Sequence, residues 1–195
     1  MSEVGYFRVL TYVQQSNKLQ WGDRMQQEQF EKGIRPDKIN YYLDIAKTVS
    51  ERSTCLKTHY GSVIVKNDII ISTGYNGAPR GVRNCIDSKK GCLRELLNCH
   101  RNEGYELCPA VHSEQNAIIS AARKDMIGSD LYMVGINVKD GSYKDSAMCC
   151  NRCKAMIINA GIKNVYIRVG PKQFQWLCYE VDKFIEEMNE LANGE

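Results

Sequence analysis

Two short segments hold the side chains best suited to chemistry, Val111-His112-Ser113-Glu114 and Cys149-Cys150-Asn151-Arg152-Cys153. Cys150 and Cys153 are spaced so that, on a helix, their sulfurs share one face. The start of a helix favours the thiolates that a zinc ion requires. His112 would add an imidazole from a second helix start. Two thiolates and one imidazole leave the fourth tetrahedral position to a water, the arrangement of a catalytic zinc, whose water has a pKa near about 7. Glu114 lies two residues past His112 and could carry protons without being a ligand. Each signal alone is weak. A Cys-x-x-Cys pair also fits a structural zinc half-site or a redox pair, a single histidine is often just packed, and a glutamate in a first helical turn is a favourable dipole partner. Their joint placement at the starts of consecutive helices favours the metal centre.

These helices belong to an alternating pattern. Asp37 is a good N-cap for a helix running to about Arg52, with Ile39, Tyr42, Leu43, Ile45, Ala46 and Val49 as its apolar stripe. Strands are expected at 61–66 and 69–75, joined at Asn67-Asp68 by a tight hairpin. A helix over 113–124, a strand over 131–138, a helix over 150–160 ended by Gly161, and a strand over 165–170 follow. Phe174, Leu177, Val181, Phe184, Met188 and Leu191 then recur at three- and four-residue spacing, which predicts an amphipathic helix over 171–195 that includes Cys178. Strands interleaved with helices imply a layered α/β domain at 35–170. Residues 1–34, polar and rich in Gln, read as an N-terminal extension.

Between the hairpin and the 113–124 helix lies a long irregular insert containing Cys85, Cys92, Cys99 and Cys108. A structureless stretch of this length calls for something to pin it. Cys55, Cys85, Cys92 and Cys108 are read as a second, four-thiolate zinc site, with Cys99 and His100 as rival ligands and His59 as a weaker one. The alternative is a set of buried apolar thiols.

The chain of 195 residues is 43% hydrophobic and 25% charged, an ordinary globular balance. Its net charge of +3 argues against a protein that coats nucleic acid. No apolar run is long enough to span a bilayer, and the first residues lack a basic start followed by an apolar core. A cytoplasmic location is therefore expected. The nine cysteines then read as metal ligands or free thiols, and the odd count prevents complete intrachain pairing.

The segments STC (53–55), IISTGYNGAPRG (70–81), VHSEQNAI (111–118) and CCNRCKAMIINAGI (149–162) resemble the cytidine and deoxycytidylate deaminase family, most closely its dCMP deaminase branch. The metal-site part follows the H-x-E and P-C-x-x-C pattern of zinc deaminases. GYNGAPRG is the piece most particular to the branch. The resemblance implies a three-layer α/β/α fold around a mixed five-stranded sheet, one strand more than the pattern shows. It implies hydrolytic deamination of dCMP to dUMP and ammonia, with His112, Cys150 and Cys153 on zinc and Glu114 as proton carrier. By the same resemblance Asn76 contacts the sugar and Tyr166 approaches the phosphate. Lys57, Arg80 and Arg123 are further cationic candidates for that phosphate. Gly74, Gly77, Arg80 and Gly81 form a loop that would take a deoxynucleoside triphosphate effector with magnesium. A homo-oligomer, up to a hexamer, and a second structural zinc are also implied. Competing readings are a deaminase of nucleosides or of bases within RNA or DNA, and a catalytically silent zinc-stabilised module. Two residues depart from the usual pattern: Ser113 replaces alanine, and Cys149 replaces the proline before the first ligand cysteine.

Overall fold

Asp37 caps the first helix, α1 (Lys38–Ser50), by accepting the backbone N–H of Asn40 at 2.9 Å, as a good N-cap should. This structure, a computed structural model, describes residues 35–99, 107–145 and 147–193. The extension at 1–34 and the candidate ligand His100 lie outside the described residues. Strand β1 (Thr58–Lys66) pairs antiparallel with β2 (Ile69–Tyr75) across the expected turn, where Asn67 and Asp68 have φ of 49° and 68°. Both positive values suit the right-handed twist of a two-residue hairpin. Tyr42 of α1 locks the turn by donating its hydroxyl to Asp68 Oδ1 at 2.7 Å; burial, with help from Asp68, pushes the phenol up to about 12.

Among its described residues the insert holds a 3₁₀ turn at Cys85–Asp87 and the short α2 (Leu93–Leu96). Then come α3 (Ser113–Ile119), α4 (Arg123–Met126), β3 (Asp130–Asn137), α5 (Asn151–Ala160) and β4 (Asn164–Arg168). β5 (Trp176–Glu180) and α6 (Val181–Asn193) are the last elements among the described residues. The sheet order is β2-β1-β3-β4-β5, with only β3 and β4 parallel. This is the mixed five-stranded sheet expected, between two helical layers.

Strand alternation decides what each layer buries. Val63, Val65, Tyr132 and Val134 face α1 and meet Tyr42, Leu43 and Ala46. Ile64, Leu131, Met133, Val165 and Ile167 face the other way and meet Ala117, Cys153, Ile157 and Phe184. Full burial of a side chain such as Phe184 or Leu131 contributes about 1.5–3 kcal/mol. Lys154 ties α6 to α5 through an ion pair with Glu187.

Three expectations need correction. The 113–124 helix stops at Ile119, because the Ser120 hydroxyl bonds the Asn116 carbonyl at 2.7 Å and Ala122 is extended at ψ 138°. A local side-chain bond of this kind competes with helix continuation. The helix expected over 171–195 starts only at Val181, since 176–180 form β5 against β4, with Tyr166 opposite Cys178. Phe174, Leu177 and Val181 are spaced like a helix, but Gly170 and Pro171 open a turn and Trp-Leu-Cys-Tyr suits a pleated surface. Cys178 is therefore a strand residue.

Candidate metal centre and proton carrier

α3 and α5 begin side by side on the same face of the sheet. His112 is the N-cap of α3, and its backbone N–H donates to the Gln115 side-chain oxygen at 3.0 Å. The preceding Val111 forms an isolated two-bond bridge with Gly77, of 3.1 and 2.8 Å, which fixes where α3 starts. Cys150 is the N-cap of α5, and Cys153 lies fully buried one turn on. The end of α5 is set by Gly161, whose φ of 80° is the left-handed cap the sequence predicts.

His112 Nδ1 lies 3.6 Å from Cys150 Sγ and 3.4 Å from Cys153 Sγ. A tetrahedral zinc with bonds of about 2.3 Å to sulfur and about 2.0–2.1 Å to nitrogen separates such atoms by roughly 3.6 Å. The donor set and its spacing therefore fit zinc. The three side chains also polarise one another. A hydrogen bond from Cys153, aided by His112, holds Cys150 down to about 3, and the same Cys150 contact raises Cys153. The hydrogen bond to Cys150, followed by the Glu114 charge, raises His112 despite its burial. Zinc takes these ligands as thiolates and neutral imidazole, so uptake must displace protons. The sign follows: as pH falls through the raised His112 value, protons compete better and zinc binding weakens. A competitive zinc titration between about pH 8 and about pH 6 is expected to show affinity falling with pH; a flat profile would contradict the ligand set.

Glu114 is only 5% exposed. Its Oε2 accepts the Ser113 hydroxyl at 2.9 Å, and Ser113 in turn accepts the Ser62 hydroxyl at 2.8 Å. Cys149, the residue in place of proline, is buried in the core, and burial keeps its thiol well above the usual range. It sits beside Glu114 and does not join the ligand group.

The second-site thiols are neighbours without being a formed centre. Burial first, then Cys55, Cys108 and Cys92, raises the thiol of Cys85. Among the described residues, however, the one group of potential ligand atoms all within 4.8 Å is His112, Cys150 and Cys153. His59 Nε2 contacts the Cys55 carbonyl at 3.0 Å, and the backbone N–H of Cys99 donates to the Arg94 carbonyl.

Asn76 is buried and acts as a strut. Its Oδ1 accepts from Ser53 Oγ and the Tyr60 N–H, each at 2.7 Å, and its Nδ2 donates to the Thr58 carbonyl at 3.0 Å. One amide hydrogen is left over. Lys57 pairs with Glu95 of α2 at 3.3 Å, both half exposed. Arg123 does not join the metal centre. Its Nε donates to the Asn159 carbonyl at 2.7 Å, at the end of α5 opposite Cys150 and roughly 13 Å along the helix. Tyr166 does not join it either. It stacks on Tyr132 at 4.9 Å on the α1 face, because its neighbours Val165 and Ile167 point to the other face. Gly74 and Gly77 are not a flexible loop. Gly74 lies in β2 directly beneath the backbone of α3, and a side chain on Gly77 would strike Thr54 at 2.6 Å. Arg80 and Gly81 are exposed.

Residues 36–169 match the cytidine and deoxycytidylate deaminase zinc-binding region. The chain is 34% identical over 144 residues to the deoxycytidylate deaminase of Mycobacterium phage D29, covering 71% of this chain and 98% of that one. It is 34% identical over 150 residues to the Schizosaccharomyces pombe deoxycytidylate deaminase, covering 76% of this chain but only 41% of that protein. Among solved structures, the cyanophage S-TIM5 dCMP deaminase in complex with dCMP and dUMP is similar at 25% identity and a TM-score of 0.50. That similarity covers 81% of this chain and 94% of the cyanophage chain.

Proposed function

Because the chain belongs to the cytidine and deoxycytidylate deaminase family, we propose that it hydrolyses dCMP to dUMP and ammonia. The observation that carries this reading is a zinc-shaped His112, Cys150 and Cys153 triad beside a buried carboxylate that is not a ligand. A structural zinc site has no use for such a carboxylate, which disfavours a silent module. When bound, zinc supplies a water acidic enough to be a nucleophile at neutral pH. Glu114 would take one proton of the water as its oxygen bonds to the amino-bearing carbon and pass it to the adjacent ring nitrogen, then take the second proton from that oxygen and give it to the amine as the carbon–nitrogen bond breaks. One carboxylate therefore serves each transfer in turn. Ammonia leaves with its protons balanced by the water consumed.

On the substrate side the reading keeps Asn76, through its remaining amide hydrogen, for the sugar. It keeps Lys57 and Arg80 as phosphate donors. Arg123 and Tyr166 leave it for the reasons of position given above. A triphosphate effector with magnesium would have to use Arg80 and Gly81, since Gly74 and Gly77 are packed. A homo-oligomer, up to a hexamer, is supported by the exposed Ile69 and Ile70 on the edge strand β2. Among the described residues no helix is long and apolar enough to cross a membrane; a cytoplasmic site of action is part of the proposal.

The test is kcat/KM for dCMP, deoxycytidine, cytidine, dCTP and a short cytosine-containing oligonucleotide. Each charge-assisted hydrogen bond to the phosphate is worth about 1.5–3 kcal/mol. Two such bonds place dCMP ahead of deoxycytidine by roughly two to four powers of ten. Equal rates on the two would make this a nucleoside deaminase, and preference for the oligonucleotide would make it a polynucleotide editor.

We further propose a second, structural zinc held by Cys55, Cys85, Cys92 and Cys108, closing the insert when it binds. The mutual influence of the four thiols at Cys85 supports it. Metal analysis is expected to find two zinc ions per chain, and one after Cys85→Ser, with dCMP turnover retained. A single zinc in the unaltered protein would rule the second site out.

A further inference from the structure

Ser62 occupies the middle of β1, in a stretch whose neighbours Val63, Ile64 and Val65 are core residues. Its side chain faces the α3 side and is fully buried, as is that of Ser113. Burying a hydroxyl without a partner costs about 1–3 kcal/mol, so two in contact at the floor of a site need an acceptor at the end of their chain. That acceptor is Glu114. Ser62 Oγ donates to Ser113 Oγ at 2.8 Å, and Ser113 Oγ donates to Glu114 Oε2 at 2.9 Å. The direction is forced from the far end, because an ionised carboxylate can only accept.

We infer that Ser62 and Ser113 form a hydroxyl relay that orients the Glu114 carboxylate. Oε2 accepts the Ser113 hydroxyl, which in turn is held by Ser62. The relay also fixes the carboxylate plane, whose terminal torsion is otherwise broad. Both serines are positioning residues, since they act through Glu114 and not on the substrate. The neighbouring Cys149 thiol is too weak a donor to set the orientation by itself. Cross-sheet placement adds a mechanical link: β1 is hydrogen-bonded to both β2 and β3, so Ser62 anchors the relay to an interior strand of the sheet.

The inference rests on Glu114 being the proton carrier proposed above, and its test separates the two. Ser113→Ala, Ser62→Ala and the double variant are made in the zinc-loaded protein. Ser113→Ala is expected to lower kcat on dCMP by about tenfold, the value of one charge-assisted hydrogen bond, with KM changed by less than about twofold. Zinc content stays as in the unaltered protein, while Tm falls because the buried Ser62 hydroxyl loses its acceptor, and the double variant recovers part of that fall. Ser62→Ala lowers kcat by about two- to threefold, and the double variant is no slower than Ser113→Ala, because both act through one chain of bonds. An unchanged kcat in Ser113→Ala, or losses that multiply in the double variant, would overturn the relay. The second readout needs no substrate: in a crystal structure of zinc-loaded Ser113→Ala, the Glu114 carboxylate is expected to rotate or to occupy two orientations. If it keeps its original plane, the relay is wrong. If the unaltered protein fails to turn over dCMP, the proposed substrate falls, and the relay is decided by the carboxylate orientation.

Discussion

Glu114→Gln is expected to keep its zinc and its fold and to lose about 10²–10⁴-fold in kcat. The amide has the shape of the carboxylate, and its oxygen can still accept the Ser113 hydroxyl, so the buried chain of bonds remains satisfied. It cannot take up and release protons at neutral pH. The loss belongs in the upper part of the range, because a single group serves the water, the ring nitrogen and the leaving amine. Because uniform substrate binding is untouched, the fall appears in kcat rather than in KM. Metal analysis and thermal unfolding on the same sample establish that only the proton carrier has changed. Near-normal turnover with full zinc would show that Glu114 is not the shuttle.

A large effect is also expected from a residue with no functional group. In Gly74→Ala, the added Cβ would clash with the backbone N of Ala117 and the carbonyl oxygen of Ser113, and would lie 2.8 Å from the carbonyl carbon of Asn116. These are backbone atoms on the far side of a packed contact, and Gly74 itself is held in the ladder opposite Ser62. Neither side can yield by turning a side chain. Overpacking of this kind costs about 1–3 kcal/mol and occasionally more, which lowers Tm by roughly 2–12 °C in a chain of this size. The displaced element is α3, which carries His112 at its cap and Glu114 in its first turn, so zinc affinity and kcat are expected to fall with Tm. Gly81→Ala is the control. Gly81 has φ of 83° and open space around it, so that change adds backbone strain alone and leaves zinc affinity unaltered. Unchanged Tm and zinc affinity in Gly74→Ala would mean that α3 does not rest on β2 as described.

The metal centre was legible in the sequence because each ligand is bound to a local signal. His112 and Cys150 sit at helix caps, where periodicity starts, and Cys153 follows at helical spacing. The hairpin and the Gly161 cap were legible for the same reason, since turn chemistry is written in adjacent residues. What depended on the sheet was not. The spacing of Phe174, Leu177 and Val181 satisfies a helix as well as a strand followed by a helix, and only pairing with β4 decides between them. Tyr166 could be assigned to a strand but was placed near the phosphate by likeness alone; strand alternation turns it to the α1 face. Nothing in the sequence signals that Asn76 is also a buried strut, because its partners Ser53, Thr58 and Tyr60 are remote from it along the chain. The glycine at 74 was visible, but its reason, a helix resting on the strand, is tertiary. Ser62 left one usable trace: a hydroxyl in the middle of an apolar strand.

The most direct measurement is dUMP and ammonia formed from dCMP by the same sample of protein, stripped of metal and then reloaded with zinc. The account predicts no product from the stripped protein, and equal amounts of dUMP and ammonia once zinc is restored, in proportion to the metal bound at His112, Cys150 and Cys153. Zinc-loaded, folded protein that leaves dCMP unchanged would contradict it.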